Sequence, residues 1–445
     1  MNIAMVSLGC AKNLVDSEIM LGCLRQVGMQ LVSDAREADI LMINTCSFIH
    51  DAKKESMDAI LRARHERKKY GLDQKIIVAG CLPQRFSREL SKKMPDVDAW
   101  IGVDQVADIV SIIRNVILRN NHYRLVSPRS SYIPDYDTPR FRLTPPHYAY
   151  VKIAEGCNHP CSFCVIPQIR GRHRSRTVKS VIQETQKLVN EGVKELLLIS
   201  QDTTYFGMDR WKVKPGPRQP AVRDRGECIV DLLEALEKIK GKFWIRLLYT
   251  HPAHWSDELI AIFRKSSKVV PYVDMPIQHI HPDMLKAMRR QTTDGYIKDL
   301  IGRIRKGIPN VVLRTTMIVG FPGETEEHFE SLLKFMEETR FDRLGVFQYS
   351  PEIGSLAEKM PHQVADGVKK ARWKKAMLLQ QKISEDRNAS LIGKTVSVVT
   401  DGGIYARTTA DAPEVDGRVM LARPQKAGKF MNVCIRAHDA YDLME

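Results

Sequence analysis

The chain has 445 residues, 43% hydrophobic and 27% charged, which excludes disordered and collagen-like classes and leaves room for two to four domains at about 150 residues each. No apolar run approaches the roughly 18–20 residues that cross a bilayer, and the first residues lack the basic stretch of a secretory leader, so a cytoplasmic protein with no membrane partner is expected. A net charge of +15 favours a polyanionic neighbour such as RNA or a ribosome about as much as it favours plain solubility.

In chain order, residues 3–8, 38–44, 75–79 and 98–103 read as short apolar strands, and 15–27, 52–69 and 105–118 as helices. This alternation predicts an N-terminal parallel-sheet α/β domain over residues 1–120. The polar, proline-containing segment 120–139 reads as a linker. From Tyr148 the alternation resumes, with candidate strands at 148–154, 195–200, 243–249, 269–275, 311–319 and 343–349. Six βα units in one block, 143–375, predict a central partial (β/α)6 barrel rather than a second open sheet. A basic stretch between Gly207 and Gly226 reads as a long loop at the strand ends, and a Lys/Arg-rich helix is expected over 364–386. Residues 384–445 break into Val- and Thr-rich segments at 395–400, 404–409, 417–421 and 430–437, the pattern of a small antiparallel β-barrel.

Cys157-Asn-His-Pro-Cys161-Ser-Phe-Cys164 spaces three thiols as C-x3-C-x2-C just after the first strand of the barrel block. Thiolates are soft ligands that suit zinc or iron–sulfur clusters. A closed structural zinc site takes four ligands, and His159 is the available fourth, although Pro160 restricts its turn. Cys10, Cys46 and Cys81 are about 35 residues apart with no local motif, yet each directly follows an apolar strand. Neighbouring parallel strands bring their C-terminal ends to one edge, where open α/β sheets bind ligands. Folding is therefore expected to gather these three into a second triad. Cys23, Cys228 and Cys434 read as core residues.

The cysteine loop in its barrel context resembles the radical S-adenosylmethionine superfamily. Two triads, an α/β domain and a terminal barrel together resemble its methylthiotransferase family over essentially the whole chain. Glu155-Gly-Cys-Asn-His-Pro-Cys-Ser-Phe-Cys-Val-Ile-Pro and Val319-Gly-Phe-Pro-Gly-Glu-Thr carry the match, and the last domain is similar to a TRAM domain. The resemblance implies two 4Fe-4S clusters, one on Cys157, Cys161 and Cys164 and one on Cys10, Cys46 and Cys81. It implies S-adenosylmethionine as radical source and methyl donor, together with an electron donor and a sulfur donor. Phe163, in the cysteine loop, and Gln201 and Arg314, at or near strand ends, are the expected cofactor contacts.

Gly9-Cys-Ala-Lys-Asn-Leu-Val-Asp-Ser-Glu, Gly80-Cys-Leu-Pro-Gln-Arg, Ile199-Ser-Gln-Asp-Thr and Phe347-Gln-Tyr-Ser-Pro-Glu resemble one branch of the family in particular. That branch modifies the β-carbon of an aspartate in small-subunit ribosomal protein S twelve, free or on the ribosomal subunit; the alternative branch modifies tRNA adenosine. Residues 384–445 hold eight Lys/Arg against nine Asp/Glu, a poor grip for phosphates but suited to a basic protein. Asp411, Glu414 and Asp416 are accordingly expected to face such a partner, and the domain to be separable from the radical chemistry. The basic excess then lies on the rest of the chain, where ribosomal RNA contact stays open. A rival from another class, a non-catalytic zinc-dependent RNA-binding protein, draws on the same charge and the same terminal barrel.

Overall fold

The computed structural model describes residues 1–119 and 123–445; Asn120 to His122, where the expected linker begins, lie outside the described residues. The N-terminal sheet is parallel throughout, in the order Gln30–Leu31, Asn2–Ser7, Ile40–Thr45, Lys75–Gly80, Ala99–Ile101, Tyr123–Leu125. Its last strand carries the sheet past residue 120, into sequence that composition alone marks as linker. Helices His50–Tyr70 and Cys81–Lys93 cover one face through Ile60, Leu82 and Leu90. Ala11–Gln26 and Ile109–Arg119 cover the other through Ile19, Ile112 and Val116. Cys81–Lys93 has no counterpart in the sequence reading, because its apolar residues are sparse and Pro83 argues against a helix. Proline in a first turn, however, removes only an N–H that has no intrahelical acceptor.

The Ala11–Gln26 helix buries twelve of its sixteen residues, among them Lys12, Asn13, Asp16 and Glu18. A helix lying on one sheet face would hide a single stripe; this one is enclosed because the second domain packs on its far side. Glu18 accepts hydrogen bonds from the Arg140 guanidinium and from the backbone N–H groups of Leu143 and Thr144. The linker is thereby strapped across the helix.

The six barrel strands form where expected: Tyr148–Lys152, Glu195–Ile199, Trp244–Leu247, Tyr272–Asp274, Val312–Val319 and Arg343–Gln348. They lie side by side in chain order as two parallel three-stranded sheets, joined by a bridge between Ile245 and Val269. Five helices pack outside through residues such as Val181, Leu232, Leu259, Leu300 and Leu332. On the concave side, Tyr150, Leu197, Leu248 and Tyr272 share one apolar cluster with Val15 and Ile19 of the Ala11–Gln26 helix. The N-terminal domain thus packs into the open side of the partial barrel.

Helix Asp366–Ala389 crosses the last barrel strand, with Trp373 Nε1 donating to the Val346 carbonyl and Gln380 to that of Phe341. It leads to a five-stranded terminal sheet ordered Phe430–Cys434, Thr395–Thr408, Val419–Gln425, Leu443–Met444, Ala437–His438. The expected strands 395–400 and 404–409 are one long strand whose register shifts between Gly403 and Tyr405.

Two expectations are corrected here. Cys434 is exposed, whereas Cys23 and Cys228 are buried as read. Asp411, Glu414 and Asp416 do not wait for a partner, because the barrel already takes them. Asp411 accepts from Arg343, Glu414 from the hydroxyls of Tyr148 and Tyr150, and Asp416 from the hydroxyl of Tyr272. Nearby, fully buried Glu195 bridges Arg246 of the barrel and Arg407 of the terminal sheet. Carboxylates drawn into an interior need donors, and the tyrosines and arginines of the barrel supply them.

Candidate metal centres

The three N-terminal cysteines sit at adjacent strand ends. Cys10 caps the Ala11–Gln26 helix, Cys81 opens the Cys81–Lys93 helix, and Cys46 follows the Ile40–Thr45 strand. Their thiols are close enough to influence one another electrostatically. Two glycines permit the approach. Gly9 has φ +90°, and a Cβ there would lie 2.6 Å from Cys46 Cβ; Gly80 has φ +98°, and its Cβ would lie 2.7 Å from the Thr45 carbonyl. Asn13 laces the loops together by donating to the carbonyls of Leu8 and Thr45. The Cys46 N–H donates to Ser56, and Ser47 donates to the Cys81 carbonyl. Burial, and after it the other two thiols, pushes Cys46 up to about 12. Burial raises Cys81 as well; a cationic metal group is what would release the protons of these two thiols.

The second set lies between the short strand Ala154–Glu155 and the helix Ile166–Arg170. Cys157 Sγ accepts from the His159 N–H at 3.5 Å, Cys164 Sγ from the Ile166 N–H at 3.4 Å, and Cys161 Sγ from Arg290 at 3.4 Å. Burial, then the Cys161 thiol, pushes Cys164 up to about 12, and the same two causes raise Cys157 well above the usual thiol range. His159 is no fourth ligand. Its Nε2 is 2.7 Å from Asp202, its Nδ1 is 2.6 Å from Gln291, and its ring stacks on His251. Asp202 draws His159, His251 and His254 into a buried group whose ligating atoms all fall within 4.8 Å of one another. Three thiols that each accept a hydrogen bond, with both nitrogens of His159 engaged elsewhere, suit an iron–sulfur cluster better than a closed four-ligand zinc site.

Between the triads runs a buried ionic network. Lys152 pairs with Asp16 and Glu155, and Arg170 pairs with the same two carboxylates. Arg170 also reaches Asn13 at 2.8 Å and Cys81 Sγ at 3.4 Å, so one guanidinium touches both the N-terminal triad and the residue two before Cys157. Burial alone would raise the Glu155 carboxyl, but Lys152 and Arg170 hold it below the usual carboxylate range. Gln201 donates to Glu155 and keeps a buried Oε1 without a partner. Phe163 packs on Met284, Met288, Phe321 and Tyr349. Arg314 is committed elsewhere: it pairs with Asp274 at 2.8 Å and faces Asp416 at 3.6 Å. Lys12 lies over the Tyr249 ring, 3.0 Å from its centroid, and burial draws its ammonium down to about 8.

Sequence reading missed Lys12, Asn13, Asp16, Glu155, Arg170 and Arg290. Asn13 and Asp16 had a signal, since they follow Cys10 at i, i+3 helical spacing, whereas Lys12 had none. Arg170 and Arg290 carry none, because only the fold brings them to a cysteine.

The chain matches the models of three families: the uncharacterized protein family UPF0004 over residues 2–102, the Radical SAM superfamily over 151–336 and the TRAM domain over 392–444. It is 53% identical over 450 residues to a protein of Opitutus terrae named ribosomal protein uS12 methylthiotransferase RimO, covering 99% of this chain and 96% of that one. A protein of the same name from Akkermansia muciniphila is 48% identical over 448 residues, covering 100% and 99%. Among solved structures, the radical S-adenosylmethionine methyltransferase TsrM from Kitasatospora setae shares the fold, with a TM-score of 0.56 and 12% identity over 86% of this chain and 89% of that one.

Proposed function

Since the chain belongs to the ribosomal protein uS12 methylthiotransferase family of radical S-adenosylmethionine enzymes, we propose that it adds a methylthio group to the β-carbon of an aspartate in ribosomal protein uS12. The observation that carries the proposal is the pair of separate cysteine triads, coupled through Arg170, Asp16 and Glu155, in a chain alike to these relatives along its whole length. The tRNA branch is not favoured, because the full-length relatives are named for uS12. A cytoplasmic location follows from that substrate. No helix among the described residues is long and apolar enough to cross a membrane.

When bound, S-adenosylmethionine and the two 4Fe-4S clusters supply the radical, the sulfur platform and the methyl group. Cys157, Cys161 and Cys164 hold one cluster and Cys10, Cys46 and Cys81 the other. Arg290 and Arg170 set a positive charge against one sulfur of each triad, and at Cys81 the guanidinium opposes the effect of burial. An aspartate β-C–H is not acidic enough for any of the nearby side chains to deprotonate at neutral pH, so the chain's task is to position the reactants and exclude water. Gln201, with its spare buried carbonyl, and Phe163, in the cysteine loop, are the proposed cofactor contacts. Arg314 is held instead by two carboxylates, Asp274 and Asp416. The basic excess outside the terminal domain is available to ribosomal RNA, and an electron donor and a sulfur donor complete the partners.

Anaerobic reconstitution with iron and sulfide is expected to give two clusters per chain by Mössbauer counting. Cys157→Ala should abolish reductive cleavage of S-adenosylmethionine, whereas Cys46→Ala should stop methylthiolation while cleavage persists. In cells lacking the gene, mass spectrometry should find uS12 without its methylthio group. Loss of that group from tRNA adenosine, with uS12 unchanged, would overturn the proposal.

A further inference from the structure

Lys12 is 8% exposed, and no acceptor lies within hydrogen-bonding distance of its Nζ among the described residues. A largely buried ammonium that rests on a ring and meets no acceptor is costly to keep charged, and it gains from any carboxylate brought to it from outside. The acids nearest to it are already occupied. Glu155 receives Lys152, Arg170 and Gln201 on its two oxygens. Asp274 receives Arg314 on one oxygen and the Tyr249 N–H on the other. Below the ammonium, Tyr249 follows the third barrel strand, Trp244–Leu247, and holds φ +59°, a backbone conformation that bulky residues seldom adopt and that tends to mark functional positions. The ring is kept there by the Asp274 bond to its own N–H and by Thr203, which bonds the Tyr249 carbonyl. Lys12 is also within electrostatic reach of Cys10 on one side and of Glu155, two residues before Cys157, on the other.

Resting on the methylthiotransferase reading, we propose that Lys12 is the anchor for the side-chain carboxylate of the target aspartate. A carboxylate docked on Lys12 would be held within electrostatic reach of Cys10 and of Glu155, two residues before Cys157, with the β-carbon one bond from the anchored carboxyl group and so open to a radical and to sulfur. The Tyr249 ring forms the floor of the site and prevents the ammonium from swinging into the barrel. Recognition is thereby charge-specific: an asparagine of the same size cannot replace the aspartate.

The methionyl carboxylate of S-adenosylmethionine is the other source of the same chemistry, and one experiment separates the two. Reconstituted wild-type enzyme and the Lys12→Gln, Lys12→Met and Lys12→Arg variants are assayed with full-length uS12 carrying the native aspartate or asparagine at the target. Binding is measured by titration, and KM and kcat are taken from methylthio product; iron content checks that each variant has folded. A buried charge-assisted hydrogen bond predicts that wild type prefers aspartate over asparagine by about 10- to 100-fold in binding. That preference should fall to about twofold or less in Lys12→Gln and Lys12→Met and be partly rescued in Lys12→Arg, with the loss appearing in KM more than in kcat. If the neutral variants keep the full preference, or if they weaken S-adenosylmethionine binding instead, the proposal is overturned while the methylthiotransferase reading stands. If a neutral variant fails to fold, the Lys12→Arg variant and the wild-type preference still decide. A wild-type enzyme that treats aspartate and asparagine alike overturns the anchor, and one that ignores uS12 altogether overturns the parent reading with it.

Discussion

Gly9 shows how narrow the tolerance around a triad is at the level of one residue. A methyl group there would have to occupy space 2.6 Å from Cys46 Cβ, at a backbone angle that disfavours any side chain. Gly9→Ala is therefore expected to halve the iron bound per chain and to leave the barrel triad loaded, as read by iron analysis and electron paramagnetic resonance. Arg170 is the other sensitive point. Arg170→Met leaves Asp16 and Glu155 with Lys152 as the one cation paired with them among the described residues, and breaking a buried ionic contact of this kind costs about 3–5 kcal/mol; a lower denaturant midpoint is the expected outcome. The six cysteines were legible because their positions relative to strands are a local property. Arg170 and Lys12 were not, since nothing in a single stretch of sequence says which cation will be enclosed by another domain. Arg314 was legible only as a residue near a strand end, and the carboxylates that engage it come from Asp274 and, a hundred residues on, from Asp416.

At the scale of elements, periodicity located all six barrel strands, because each is a short apolar run between clear helices. It did not find Cys81–Lys93, whose start coincides with a cysteine and a proline. Nor did charge counting find the docking of the terminal sheet, since a turn of three acids reads as solvated until the tyrosines opposite it are seen. That docking changes what truncation should do. Removing residues 392–445 leaves the hydroxyls of Tyr148, Tyr150 and Tyr272 and the Glu195–Arg246 pair without their outer partners. The shortened chain is expected to unfold at lower temperature and to lose radical chemistry through instability, and a fully stable, cleavage-competent truncation would show the domains to be independent after all. Acid should loosen the same joint. Burial by itself raises the Glu195 carboxyl, but Arg246 and Arg407 bring it below its ordinary value of 4.5. Its contribution is thus complete above pH 4.5 and is lost as pH falls through the lower folded value. Trp244, whose ring meets Phe430 edge-on at 5.2 Å across the joint, supplies the readout: its fluorescence should change in that window in wild type and far less in Glu195→Gln.

Taken whole, the molecule holds its two triads through one helix. Cys10 stands at the start of Ala11–Gln26, and Asp16, less than two turns on, is gripped by Lys152 and Arg170 from the barrel. Nothing between these points resembles a hinge. The separation of the two centres is accordingly expected to be a single narrow value by pulsed electron paramagnetic resonance, unchanged by S-adenosylmethionine or uS12. A broad or shifting distribution would point to domain movement during turnover.

The strap over Glu18 also has a bearing on how the protein is made. The Ala11–Gln26 helix leaves the ribosome before the barrel does, and its acidic side chains meet their cations only when Arg140, Lys152 and finally Arg170 have followed. Until then the nascent N-terminal domain carries unneutralised carboxylates on a surface destined for the interior, and Cys81 lacks the guanidinium that later meets its sulfur. Domains commonly fold in order as they emerge, yet this one has to wait for its successor. The interval before Arg170 arrives is the period in which the first triad is most accessible to iron delivery and most exposed to oxidation.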